Sequence, residues 1–124
     1  MTDNMLVTLC EKRLKMSDCQ HNGWVFDGFP VNKNQCDLLN KQGLLPANIF
    51  SLKLSELDIK KRVLRNNSCD DYDYDMEVIH ERLEQNKFNI IEVETYFSTK
   101  FNNLDLLDAK ISKWGLFEIV CKKI

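Results

Sequence analysis

The stretch Gly23-Trp24-Val25-Phe26-Asp27-Gly28-Phe29-Pro30 decides how the rest of this 124-residue chain is read. Trp24-Val25-Phe26 is a short, unbroken apolar run of β-forming residues, bounded by Gly23 and by Asp27-Gly28. A run that is apolar on both faces suits a strand inside a parallel sheet, where helices cover both sides. An acid directly after such a strand sits at the carboxyl edge of the sheet, where open α/β folds bind their ligands. A carboxylate there can hold a magnesium ion through water, or receive the hydroxyl of a phosphate-binding loop. A surface Asp-Gly turn has the same spacing, so both readings of Asp27 stay open.

Outward from this stretch, strands and helices alternate. Upstream, residues 5–15 place Met5, Leu6, Leu9 and Cys10 ahead of Lys12, Arg13 and Lys15, the order of a helix with cations in its last turn. The polar residues 17–22 are expected to break it. Downstream, residues 32–42 read as a mostly polar helix closed by Gly43. Pro46 leads into a second strand over 48–54. Ser55 reads as the cap of a helix with Glu56 and Asp58 in its first turn, running to about Arg65. Residues 66–75 are polar and acidic and read as a loop. Met76, Ile79, Leu83, Ile90, Val93 and Phe97 then fall in near-helical register. A third strand is expected over 104–107 and a closing helix over 111–123. This alternation predicts an α/β parallel sheet.

Composition narrows the function classes. The length is that of one domain with one core. A hydrophobic share of 44% with four Gly and two Pro excludes collagen-like and generally disordered chains. The net charge of −2, from 17 Lys+Arg against 19 Asp+Glu, leaves no global basic field, so nucleic acid is not an expected partner. No run approaches the roughly 18 apolar residues of a membrane-spanning helix, so no membrane partner is expected. Met1-Thr2-Asp3-Asn4 has neither a basic region nor a long apolar one, which argues against secretion. The five cysteines (Cys10, Cys19, Cys36, Cys69, Cys121) include no CxxC pair, so reduced thiols in a cytoplasmic or nuclear setting are expected. His21 beside Cys19 is too little to build a zinc site.

The motif, with Gln35 after it, resembles the signature of adenylate kinases and related nucleoside monophosphate kinases. There an aliphatic strand runs into Asp-Gly-Phe/Tyr-Pro-Arg, with a glutamine one helical turn later. Gly43-Leu44-Leu45-Pro46 and the strand at 49–54 are similar to the family's next connection and strand. Glu56 through Arg62 resembles the helix leading to the lid, and Val78-Ile79-His80-Glu81-Arg82-Leu83 resembles the helix leaving it. The resemblance implies a three-layer αβα parallel sheet of the P-loop nucleoside monophosphate kinase type, with strand order 2-3-1-4-5. It implies phosphoryl transfer from Mg-ATP to a nucleoside monophosphate. On that reading Asp27 is a catalytic carboxylate on the magnesium side, reaching Mg2+ through water. Gln35 hydrogen-bonds the base of the monophosphate. Arg62 lies against ATP, with Arg65 one place short of the family's second lid-side arginine. Arg82 neutralises the transferring phosphoryl group. A solvated helix face is the plain alternative for Arg62 and Arg82.

The chain also departs from the family pattern. Val31 stands where the family has the arginine that grips the monophosphate's phosphate, and Asn66 stands at the second lid-side arginine. The lid is reduced to residues 66–75, and Asp70, Asp71, Asp73, Asp75 and Glu77 would repel a triphosphate. No G-x-x-x-x-G-K-[ST] loop is found. Gly23 and Gly28 have its spacing, but Phe29-Pro30 follow where Lys and Ser/Thr are required. In the family that loop precedes the position of Met1, so residues 1–124 are expected to be one partial, truncated domain. The isolated chain is expected to be inactive and to hold neither Mg2+ nor ATP tightly. The alternative is a degenerate kinase-like protein-interaction module of a larger multi-domain or ciliary/flagellar protein. A sheet without its central strand is expected to self-associate or to recruit a partner protein that completes it.

Overall fold

The computed structural model describes residues 1–66 and 76–124. Six helices and two strands follow one another as α1 (Asp3–Leu14), α2 (Ser17–Asn22), α3 (Lys33–Lys41), β1 (Ile49–Lys53), α4 (Glu56–Asn66), α5 (Met76–Lys100), β2 (Leu104–Asp108) and α6 (Lys113–Cys121). The expected loop at 66–75, its four aspartates and Cys69 lie outside the described residues, apart from the last residue of α4.

Local chemistry places most helix ends. Thr2 caps α1 by accepting the Met5 N–H at 3.3 Å, and Asn32 caps α3 by accepting the Gln35 N–H at 2.9 Å. Ser55 and Ser112 accept the N–H groups of Asp58 and Gly115 in the same way. At the far end of α3, Gly43 takes a φ of 69°. The Leu44 N–H then donates to Leu39 O at 2.9 Å and the Gly43 N–H to Asn40 O at 3.1 Å. These are the paired bonds of a Schellman cap, which needs a residue tolerant of left-handed backbone. Residues 17–22, expected to break the first helix, instead form the short helix α2. The first helix does end, at Leu14, and Arg13 forks onto Asp18 across the turn at Lys15 and Met16 with bonds of 2.9 and 2.7 Å.

β1 and β2 form a parallel pair in the register Ile49↔Leu104 to Lys53↔Asp108, with α4 and α5 in the crossover between them. The pairing extends by one bond at each end, Ile49 N–H to Asn103 O and Ala109 N–H to Lys53 O, both 2.9 Å. Alternate residues of β1 face α5. Ile49 reaches the core there, Ser51 donates to Glu94, and the Lys53 ammonium stands 2.5 Å from the same carboxylate. No helix among the described residues is long and apolar enough to cross a membrane.

The expected strand over 24–27 is not formed. The chain there has no regular structure and bends at Asp27-Gly28, and Val25 is 90% exposed. Its aromatic residues pack on one another instead. The Trp24 and Phe26 ring centroids are 4.6 Å apart, and those of Phe26 and Phe29 are 5.3 Å apart. The apolar run therefore satisfies itself through ring contacts, while no described strand aligns beside it to accept its backbone bonds. A mixed helical chain with a small parallel sheet results, compatible with an α/β kinase-like fold.

The core gathers where α3, α5 and the amino ends of both strands meet. Cys36, Tyr96 and Phe97 are buried together, with Leu45, Ile49, Val93, Phe101 and Leu104 packed against them. The Lys100 ammonium lies 4.1 Å from the Tyr96 ring centroid, a cation–π contact. Among the described residues the Tyr96 hydroxyl is buried without a hydrogen bond of good geometry, although Lys100 and Asp37 stand near it. Phe97→Ala should therefore cost about 3–5 kcal/mol in urea unfolding, through lost burial and a cavity. Tyr96→Phe, which keeps the ring and removes an unsatisfied oxygen, should stay within about 0.5 kcal/mol of the parent. A large loss in Tyr96→Phe would reveal a bond to that hydroxyl and contradict this account of the core.

Candidate functional site

Parallel α/β sheets bind ligands off the carboxyl ends of their strands, and here that edge is charged. Arg62 of α4 donates from Nη2 to the carbonyl of Ala109, the residue after β2, at 2.6 Å. Lys110 stands 3.3 Å from Asp58 of α4, and its own N–H donates to Asp108 at 2.9 Å. Glu56 pairs with Lys60 at 2.6 Å, one turn along α4, and with His80 of α5 at 3.1 Å. Lys60, then His80, hold the Glu56 carboxyl below the usual range by hydrogen bonding. Ser55 and Lys110 do the same for Asp58. Arg65 and Arg82 are exposed, on α4 and α5 respectively.

Gln35 lies elsewhere, at the contact of α1 with α3. It is 4% exposed, and its amide is engaged at both ends. The Oε1 accepts the Val31 N–H at 2.8 Å, and the Nε2 donates to Asp3 Oδ1 at 2.7 Å. Asn34 donates to the other oxygen of Asp3 at 2.7 Å. These two amides, Gln35 first, hold the Asp3 carboxyl below its ordinary value. Asp27 is exposed, in a bend where Gly28 takes a φ of 66°. Among the described residues no hydrogen bond or ion pair joins Asp27 or Gln35 to Arg62, Arg65 or Arg82. The structure thus brings Arg62 to the sheet edge and leaves Gln35 in a structural network.

Sequence reasoning missed three features. The Asp3–Gln35 bond spans 32 positions, and nothing local signals it. The Glu56–His80 contact spans 24 positions and needs the packing of α4 on α5. A cavity of about 260 Å3 is lined by Arg13, Cys19, Trp24 and Phe26 among others, beside the stretch expected to be a strand. Cys10, Cys19, Cys36 and Cys121 are free thiols, and burial pushes the Cys36 thiol up to about 11.

Comparison with known proteins places this geometry. Mouse adenylate kinase 9 is 27% identical over 128 residues, covering 98% of this chain and 7% of that protein. Rat adenylate kinase 8 is 36% identical over 61 residues, covering 49% of this chain and 13% of that protein. The adenylate kinase of Azobacteroides pseudotrichonymphae genomovar. CFP2 is 29% identical over 109 residues, 84% of this chain and 56% of its own. No family model and no solved structure matches the chain. These similarities support a nucleoside monophosphate kinase-like domain. More narrowly, the chain is similar to adenylate kinases over most of its length, and it spans a small part of adenylate kinases 9 and 8 and about half of the bacterial enzyme.

The Asp3 network makes a prediction about acid stability. A carboxyl with a lowered folded-state pKa adds stability above its ordinary value, which is lost as pH falls through the lowered one. Asp3→Asn should therefore be less stable than the parent at pH near 7, and should lose less on acidification to about pH 3. Urea midpoints at both pH values measure this. Equal losses on acidification in both proteins would show that Asp3 carries none of the acid limb.

Proposed function

We propose that this chain is a nucleoside monophosphate kinase-like domain of the three-layer αβα type that performs no phosphoryl transfer on its own. The family reaction is transfer from Mg-ATP to a nucleoside monophosphate. In this reading Arg62 and Arg65 face the triphosphate, Arg82 the transferring group, Asp27 the magnesium side and Gln35 the acceptor base. The observation that carries the proposal of inactivity is Gln35. Both ends of its amide are already bonded within the protein, so reading a base would require breaking the bond to Asp3. Leaving a buried amide unpaired costs about 1–3 kcal/mol, which the base contact would have to exceed.

Further residues support the same reading. Val31, half exposed, offers no charge to a phosphate. The 124 residues contain no Gly-rich loop ending in Lys-Ser/Thr. Magnesium in phosphoryl transfer is held by one or two carboxylates together with the substrate phosphates. Asp27 is one exposed carboxylate, which suits a water-mediated contact and not a resident ion. Losing a single donor that stabilises transition-state charge typically costs about 10²–10³-fold in rate, and several are absent here.

A coupled assay of the 124-residue chain with Mg-ATP and AMP should give no turnover above the buffer rate. ATP binding should be weak, should fall further in Arg62→Ala, and should vanish as salt rises through the physiological range. Turnover that disappears in Asp27→Ala would overturn the proposal, and so would tight, salt-insensitive ATP binding.

A second reading, the degenerate interaction module, is favoured by α6. This helix buries none of its side chains among the described residues, and Trp114 is 71% exposed with Phe117 beside it. Apolar surface of this kind marks contact sites. Sedimentation of the chain should show self-association that Trp114→Glu with Phe117→Glu abolishes. Monomers at all concentrations would count against this reading.

A further inference from the structure

One cluster of metal-ligating side chains stands at the same charged edge, on residues to which the nucleotide reading gives no role. His80 and Glu84 are four residues apart on α5, so both side chains leave the same face of the helix. Glu56 reaches them from the first turn of α4, and the His80 Nδ1 stands 3.1 Å from its Oε1. One ligating atom from each of the three residues lies within 4.8 Å of the other two. From this geometry we propose that Glu56, His80 and Glu84 bind a divalent transition metal that clips α4 to α5.

The donor set decides the class of metal. An imidazole nitrogen with two carboxylate oxygens suits Zn2+, Co2+ or Mn2+, whereas Mg2+ and Ca2+ prefer all-oxygen surroundings. Three protein ligands also leave positions open for water. The location is an independent argument. Glu56 follows the last residue of β1 by three positions, at the carboxyl edge where α/β folds place their ligands. Two helices that meet there through the Glu56–His80 contact would be joined further through one ion.

The same geometry sets the strength. The Lys60 ammonium lies 2.6 Å from the Glu56 oxygen, and Lys87 lies 3.1 Å from Glu84. Both lysines sit one turn from their partners on the same helix, so each can swing to solvent as an ion enters. The metal replaces these cations and does not meet bare carboxylates, which makes the site one of modest affinity.

Co2+ is the probe, because its absorption distinguishes thiolate ligands from nitrogen and oxygen ligands. It is titrated into the intact chain with a phosphine reductant, and amide resonances are followed by NMR. One ion per chain is expected, broadening amides around residues 56, 80 and 84, with no thiolate charge-transfer band. His80→Ala and Glu84→Gln should each weaken binding at least about tenfold, the scale on which even outer ligand partners act. His21→Ala should leave it unchanged. All three side chains are on described helices and at least partly exposed, and circular dichroism checks that each variant is folded. Binding that survives in His80→Ala, a thiolate band, or no saturation at millimolar Co2+ would each overturn the proposal.

Discussion

Phe97 is the side chain on which the arrangement of the other elements depends. It is fully buried on α5, beside Tyr96 and against Cys36 of α3, with Ile49 and Leu104 packed around it. Those last two residues are the first of β1 and of β2, and they face each other in the parallel register. The apolar contacts thus fix the sheet by its amino ends. Along β1 the side chains pass from half-buried Ile49 and Phe50 to exposed Leu52 and Lys53. On β2 the burial continues to Leu107 and Ala109, and the charged groups gather around that end from β1, α4 and α5. The Phe97 core therefore sets the register of the pair, while the carboxyl edge takes its charge from the helices that flank it.

Much of the fold could be read in the sequence where its cause was local. Ser55 and Gly43 act within one helical turn, and both helix ends expected from them are present. The register of Ile79, Val93 and Phe97 found α5 because a helix repeats its buried face at fixed spacing. Trp24-Val25-Phe26 shows the limit of the same logic. An apolar run reports a demand for burial, but a strand also demands a neighbour for its backbone. Here ring stacking among Trp24, Phe26 and Phe29 meets part of the first demand, and no described strand meets the second.

The candidate site was legible in a similar proportion. Residue type and motif order pointed to Arg62, and the structure sets it against the carbonyl after β2. Gln35 was chosen by its distance from the Asp-Gly-Phe-Pro motif, which carries no information about Asp3. A residue 32 positions away determines what that amide can do. The same holds for His80, whose meeting with Glu56 is created by helix packing and has no trace in local spacing.

The wiring of α4 has a consequence for phosphate recognition. Lys60, Lys61, Arg62 and Arg65 look like one basic patch when written as a sequence. In the fold, Lys60 is held by Glu56 and Arg62 by the Ala109 carbonyl, which leaves Lys61 and Arg65 as the more accessible cations. A hydrogen bond to a charged group contributes about 1.5–3 kcal/mol. Redirecting Arg62 from that carbonyl to a phosphate would therefore forfeit roughly one to two decades of affinity unless the phosphate replaces the bond in full. The charge of a helix face thus overstates its capacity to bind an anion when its cations already serve as internal struts. Here Lys60 and Arg62 tie α4 to itself and to the end of β2, so an anion drawn to this helix face would compete with contacts that hold the edge together.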